Sequence, residues 1–209
     1  MTSKDTGLEA AYSLQTPDDN RDLYARWAED YDNSFAAAEA YALPQATARA
    51  YADAGGAGPV LDVGAGTGLC GVALAQAGIA PVDGVDISPE MLEVARGKGC
   101  YRDLLEADLY VGVGVADGTY PGVVSSGTFT HGHVGPEVLE ELLRLAAPGA
   151  VFALAINGAH FEAHGFDAAL TALGDRISGL SLPEVRIYGD GATGEHKDDM
   201  AKIAVFRKV

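Results

Sequence analysis

The stretch Val60-Leu61-Asp62-Val63-Gly64-Ala65-Gly66-Thr67-Gly68 constrains the fold of this 209-residue chain more than any other. A short apolar run rich in valine passes directly into three alternating glycines, and residues 69–77 then turn helical and small. Glycines at such a junction let the backbone turn sharply, bring a ligand against main chain, and place it beside a helix N-terminus. A strand, a glycine loop and a helix in that order belong to open α/β sheets, which hold ligands at the carboxyl ends of their strands.

The rest of the chain repeats this alternation. Thr16-Pro17-Asp18-Asp19 reads as a helix start, with a hydroxyl cap, a first-turn proline and carboxylates at the positive end of the dipole. The helix that follows puts Tyr24, Trp27, Ala28 and Tyr31 on one stripe. A second helix is predicted over 44–54, stopped by Gly55-Gly56. Residues 81–87 read as the second strand. Ser88-Pro89-Glu90 opens a helix that carries Met91, Leu92 and Ala95 and stops at Gly97. Further strands are expected over 101–105, 123–125 and 151–156. Strands and helices in alternation imply a parallel sheet covered on both faces. The tail departs from this: 184–188 and 202–206 have no room for a crossover helix between them and should pair as an antiparallel hairpin. The expected organisation is one catalytic-size domain over 57–209, preceded by a helical lid over 1–56 whose first ~16 residues fray.

A formal charge of −16 argues against a phosphate-backbone partner, and the densest basic group, Arg207-Lys208, is too small to offset it. A small-molecule substrate is expected instead. Cys70 and Cys100 match no metal spacing and read as buried thiols of a reducing compartment. No apolar run approaches the roughly 18 residues of a membrane span, and residues 1–9 lack signal-peptide character, so a cytoplasmic location is expected.

Three acids accompany the loop. Asp86 closes the second strand, where a carboxylate can accept both hydrogen bonds of a ribose diol. Asp108 follows the third strand and could accept from an adenine amino group. Asp62 stands at the first strand's end, where it could hold the amino group of an amino-acid moiety, directly or through water. Gly66-Thr67-Gly68-Leu69-Cys70-Gly71 also fits the dinucleotide pattern G-x-G-x-x-G, which keeps a nicotinamide reductase as an alternative. Asp62 would repel a pyrophosphate, and the antiparallel tail is not the second half of a dinucleotide domain; both count against it. A non-catalytic cofactor-binding module is the other alternative.

The run 62–68, Asp86 and Asp108-Leu109 resembles the successive motifs of class I S-adenosylmethionine-dependent methyltransferases, and Tyr24-x-x-Trp27-Ala28-x-x-Tyr31-Asp32 resembles the N-terminal signature of many small members. Gly84-Val85-Asp86-Ile87-Ser88-Pro89-Glu90-Met91-Leu92 and Gly127-Thr128-Phe129-Thr130-His131-Gly132-His133 look most like the methyltransferase-like group first named for the Williams–Beuren chromosomal region. The resemblance covers about residues 22–157 and the tail hairpin. It implies a Rossmann-like seven-stranded sheet of order 3-2-1-4-5-7-6 with strand 7 antiparallel. It implies S-adenosylmethionine as cofactor and S-adenosylhomocysteine as product. Gly64, Gly66 and Gly68, with Ala65 and Thr67 between them, would contact the methionine end. Asp86, followed by Ile87, would hold the ribose. Asp108 and Leu109 would flank adenine, Met91 would pack on its ring, and Ser126 would join them from the fourth strand. One departure is that Tyr120 is followed by Pro121-Gly122, where an aspartate often stands.

Trp27 and Tyr31 could close over the cofactor, an aromatic face attracting the sulfonium. His131 is a candidate general base, the alternative being a loop histidine bonded to backbone. His160 and His164 lie at i, i+4 without the H-E-x-x-H pattern, and no metal is expected. The acceptor pocket is expected from the N-terminal helices, the loop 127–134 and the segment 157–165.

Overall fold

The four residues Val60–Val63 form β1, and all four are buried, because this strand is covered on both faces and paired on both sides. The computed structural model describes residues 23, 40–130, 133–193 and 196–209. The aromatic stripe, with Trp27 and Tyr31, and the candidate base His131 lie outside the described residues.

The described elements run in order α1 (Leu43–Asp53), β1, α2 (Leu69–Gln76), β2 (Val82–Asp86), α3 (Pro89–Gly97), β3 (Asp103–Glu106) and β4 (Tyr120–Phe129). They continue with α4 (Leu139–Leu145), β5 (Ala146–Asn157), α5 (Gly158–Ala163), α6 (Phe166–Ala172), β6 (Ile177–Ser181), β7 (Glu184–Arg186) and β8 (Met200–Lys208). The sheet order is β3-β2-β1-β4-β5-β8-β6, with β7 also on β8. The first five strands are parallel and β8 is antiparallel to β5.

The expected order therefore holds, with an eighth strand added. β6 and β7 lie on the same edge of β8: Ser181 faces Val205 and Glu184 faces Lys202 in one continuous register, and Ile203 N–H donates to Pro183 O between them. They fill the place of a single strand interrupted at Leu182-Pro183. The register slips between Ser178 and Ser181, where Gly179 has φ +68°. The hairpin strand ends at Arg186 rather than 188, because Tyr188 leaves β8 to bridge Tyr41. Pro121 lies inside β4, where the pairing with β5 is irregular between Tyr120 and Gly122. A residue without an N–H is tolerated at such a break.

One face of the sheet packs Val60, Val82, Val124, Ala153 and Ile203 against Tyr51 of α1 and Leu74 of α2. The other packs Leu61, Val123, Phe152, Leu154 and Phe206 against α4 and α6, with the Phe152 and Phe206 rings stacked at 4.5 Å. No helix among the described residues is long and apolar enough to cross a membrane.

Candidate functional site

The carboxyl ends of β1, β2 and β4 open into one pocket. Gly64 to Thr67 form its floor, Asp86, Ile87 and Met91 one wall, Ala107 to Tyr110 the next, and Ser126 to Thr128 the side over β4. Tyr41, Pro44, Leu69, Cys70, Val85, His133 and Val134 complete it.

The loop's shape follows from its glycines. Gly64, Gly66 and Gly68 have φ of +67°, +53° and +92°, a region that disfavours side chains. A Cβ on Gly64 would lie 1.9 Å from Thr128 Oγ1, whose hydroxyl donates to Val63 O at 2.9 Å. Space is open above Gly66, where a Cβ would meet nothing within 4 Å.

Asp86 is fixed by backbone donors: Gly66 N–H to Oδ2 at 2.8 Å and Ser88 N–H to Oδ1 at 2.9 Å. Burial raises its pKa, and these bonds oppose the rise. Each oxygen keeps a lone pair for a further donor. Asp108 Oδ1 accepts from Tyr110 N–H at 2.9 Å, which shapes the turn that carries Leu109 into the pocket. Tyr110 Oη accepts from Gly135 N–H at 3.0 Å and ties this turn to the loop after β4.

Two expected cofactor residues, Asp62 and Gly68, lie off the pocket wall. Asp62 is wholly buried and is not on the pocket wall, because its Oδ2 accepts from Tyr101 Oη at 2.7 Å beneath the loop. Its Oδ1 has no hydrogen-bond partner, and burial pushes its pKa up to about 6. Gly68 also stays off the wall: it caps α2, and a Cβ there would meet Tyr101 at 2.9 Å and Ala95 at 3.2 Å. Of the remaining expected cofactor residues, Gly64, Ala65, Gly66, Thr67, Asp86, Ile87, Met91, Asp108, Leu109 and Ser126 all line the pocket.

The segment 157–165 does not line it. His160 is buried, its Nε2 bonded to Val134 O at 2.9 Å, so it supports the loop from behind. The His160 and His164 rings lie 4.2 Å apart, and no group of metal-ligating side chains is assembled among the described residues. Pro44 stands at the start of the second N-terminal helix, from which the acceptor pocket is expected; sequence reasoning missed Tyr41 and Tyr110, and also Leu69, Cys70, Val85 and Ala107. Tyr41 precedes α1 with no periodic signal, and a strand-like bridge to Tyr188 brings it to the pocket.

A methyltransferase-domain family model matches residues 60–149. The human methyltransferase-like protein 27 is 30% identical over 184 residues, covering 85% of this chain and 73% of its own length. The chain belongs to the class I S-adenosylmethionine-dependent methyltransferases. The solved structures agree on the fold. A SAM-dependent methyltransferase from Thermotoga maritima superposes with a TM-score of 0.64 at 15% identity, over 90% of this chain and 98% of its own. A [4+2]-cyclase superposes at 0.70 and 15% identity, over 93% and 97%.

For a class I methyltransferase the cofactor is S-adenosylmethionine, and the pocket suits it. Asp86 offers acceptors for a diol, Ile87, Met91 and Leu109 offer apolar surface for a flat base, and Asp62 Oδ1 is a buried acceptor left without a partner behind the wall. A pyrophosphate would find no counter-charge, since no Lys or Arg lines the pocket among the described residues.

Proposed function

We propose that this methyltransferase acts on an oxygen, nitrogen or carbon of a small molecule, and that it belongs with the methyltransferase-like group its motifs resemble. One observation carries the reading. Tyr41, Pro44, Thr128, His133 and Val134 line the same pocket as the glycine floor, and no Lys or Arg lines it among the described residues, which suits a compact acceptor rather than a polyanion.

In this reading Gly64, Ala65, Gly66 and Thr67 present backbone to the methionine end, with Asp62 and Gly68 supporting them from below. Asp86 and Ile87 hold the ribose, Met91, Asp108 and Leu109 enclose adenine, and Ser126 borders the methionine. Of the lid expected over residues 1–56, α1 packs on the sheet, so the lid is the part before it; there Trp27 and Tyr31 close the cleft, and His131 is the candidate for taking a proton from an acceptor that must lose one. The sulfonium supplies an electrophilic methyl group. The chain's own work is to align the acceptor in line with it and to exclude water.

The test is calorimetric titration with S-adenosylmethionine, S-adenosylhomocysteine and NAD, followed by transfer of labelled methyl to a panel of small acceptors. Binding of the first two, lost in Asp86→Ala, is expected; binding of NAD alone would sink the reading. Because a cyclase shares the fold, fold alone does not prescribe methyl transfer. Label reaching no acceptor in a wide panel would favour a non-methylating role.

A further inference from the structure

Tyr101 lies two residues before β3, yet its ring is inserted beneath the glycine loop. Three glycines from three places make room for it. A Cβ on Gly71 in α2 would lie 2.3 Å from the ring, one on the cap Gly68 2.9 Å, and one on Gly84 in β2 3.0 Å. The last glycine of the G-x-G-x-x-G pattern therefore admits a tyrosine rather than a ligand.

The ring carries its hydroxyl to a fixed pair of partners. Gly71 N–H, in the first turn of α2, donates to Tyr101 Oη at 3.1 Å, and Tyr101 Oη donates to Asp62 Oδ2 at 2.7 Å. A phenol has one hydrogen to give. Since an N–H already points at the oxygen, that hydrogen goes to the carboxylate, and the direction of the pair is set. Asp62 is left wholly buried, with Oδ2 accepting from Tyr101, Oδ1 without a well-aligned donor, and the Cys70 thiol and Gly71 N–H as its other hydrogen-bonding neighbours. Cys70 stands beside it and lines the pocket. A buried carboxylate held in this way lacks a cation.

We infer that Tyr101 is a positioning residue for the cofactor: it anchors Asp62 so that the carboxylate's charge is directed at the ammonium of the amino-acid end of S-adenosylmethionine. This rests on the cofactor reading. It assigns a recognition role to a side chain that never reaches the pocket, through a carboxylate one layer behind Cys70. The adenosine end, held by Asp86 and the apolar walls, is independent of it.

That independence supplies the test. S-Adenosylhomocysteine carries the amino-acid end, and 5′-methylthioadenosine lacks it. In Tyr101→Phe, a variant that keeps the ring, the affinity for S-adenosylhomocysteine should fall about tenfold or more, the usual consequence of losing one hydrogen bond to a buried charge. The affinity for methylthioadenosine should stay within about twofold. Affinity for S-adenosylhomocysteine should also be lost at higher pH than in the wild type, because the bond removed favours the ionised carboxylate. Asp62→Asn should weaken S-adenosylhomocysteine similarly and abolish any further effect of Tyr101→Phe, which keeps the test informative should the tyrosine variant lose stability. Equal weakening of both ligands, no change in either, or additive losses in the double variant would each overturn the proposal. Failure of the wild type to bind S-adenosylhomocysteine would overturn the cofactor reading itself, and this proposal with it.

Discussion

A buried carboxylate with one unsatisfied oxygen makes a measurable demand on the folded state. Asp62 has a pKa near 6 when folded, above the ordinary carboxylate value it regains on unfolding. Between those values the folded protein holds the extra proton. The unfolding free energy therefore falls as pH rises through that window, by an amount on the order of 2–3 kcal/mol. Asp62→Asn should remove this dependence and raise the stability of the ligand-free protein near neutral pH by about 1–2 kcal/mol, as read by urea unfolding at several pH values. A variant with an unchanged pH slope would show that Asp62 is not the group responsible. Gly64→Ala should act in the opposite direction: its Cβ would strike Thr128 Oγ1 at 1.9 Å in a left-handed backbone, costing about 1–3 kcal/mol and the floor of the pocket, as read by thermal unfolding and cofactor titration. Most of the loop was legible in the sequence, because glycine spacing after an apolar run reports a local backbone requirement. Tyr101 was not. Its partners Gly68, Gly71 and Gly84 are distant in sequence, and nothing local marks a ring that crosses from the approach to β3 to the end of β1. For the same reason the packing demand at Gly68, where a Cβ would meet Tyr101 and Ala95, cannot be read from the glycine pattern.

Helix α3 carries Met91 on the pocket wall, and its start is set by chemistry the sequence displays openly. Ser88 Oγ accepts from Met91 N–H at 3.2 Å, Pro89 occupies the first turn, and Glu90 sits at the positive end of the dipole. Ser88→Ala should lower stability by about 1 kcal/mol. It should also weaken binding of S-adenosylhomocysteine, because Met91 and the Asp86–Ser88 turn share that cap. Unchanged thermal unfolding would show that the cap contributes nothing. The opposite edge of the sheet was read only in part. Glu184–Arg186 and Met200–Lys208 carry alternating strand patterns and were recognised as a hairpin. Ile177–Ser181 contains a glycine and two serines, and its pairing depends on a bulge at Gly179 and on β8 supplying a ready edge. Tertiary pairing made that strand. In the last turn of α4, Arg144 clamps the loop between β3 and β4, its guanidinium reaching Val113 O, Val115 O and Asp117. In Arg144→Ala, amide exchange at Val113 and Val115 should quicken while that of β5 stays unchanged; equal protection would show that the loop holds itself.

At the scale of the whole molecule, alternation of strands and helices fixed the parallel core, and the missing crossover marked the antiparallel end. The charge of −16 was equally plain, yet its consequence is felt only when the pocket is known. That pocket contains Asp86 and Asp108 and, among the described residues, no Lys or Arg. Both the local and the global field therefore favour a cation. S-Adenosylmethionine carries a net positive charge from its sulfonium, whereas S-adenosylhomocysteine is neutral overall, so the two ligands differ chiefly in how they respond to that field. Screening shortens the reach of surface charge from about 30 Å at 0.01 M salt to about 3 Å at 1 M. Raising salt across that range should weaken S-adenosylmethionine several-fold relative to its product, with the product's own affinity nearly constant, in paired calorimetric titrations. A ratio indifferent to salt would mean that discrimination comes entirely from buried groups, which ions do not screen. A ratio that collapses to one would mean that the pocket itself distinguishes the ligands only through the molecule's surface charge. The expected intermediate result, a salt-dependent part above a salt-independent remainder, would separate the contribution of the acidic surface from that of the groups buried around the sulfonium.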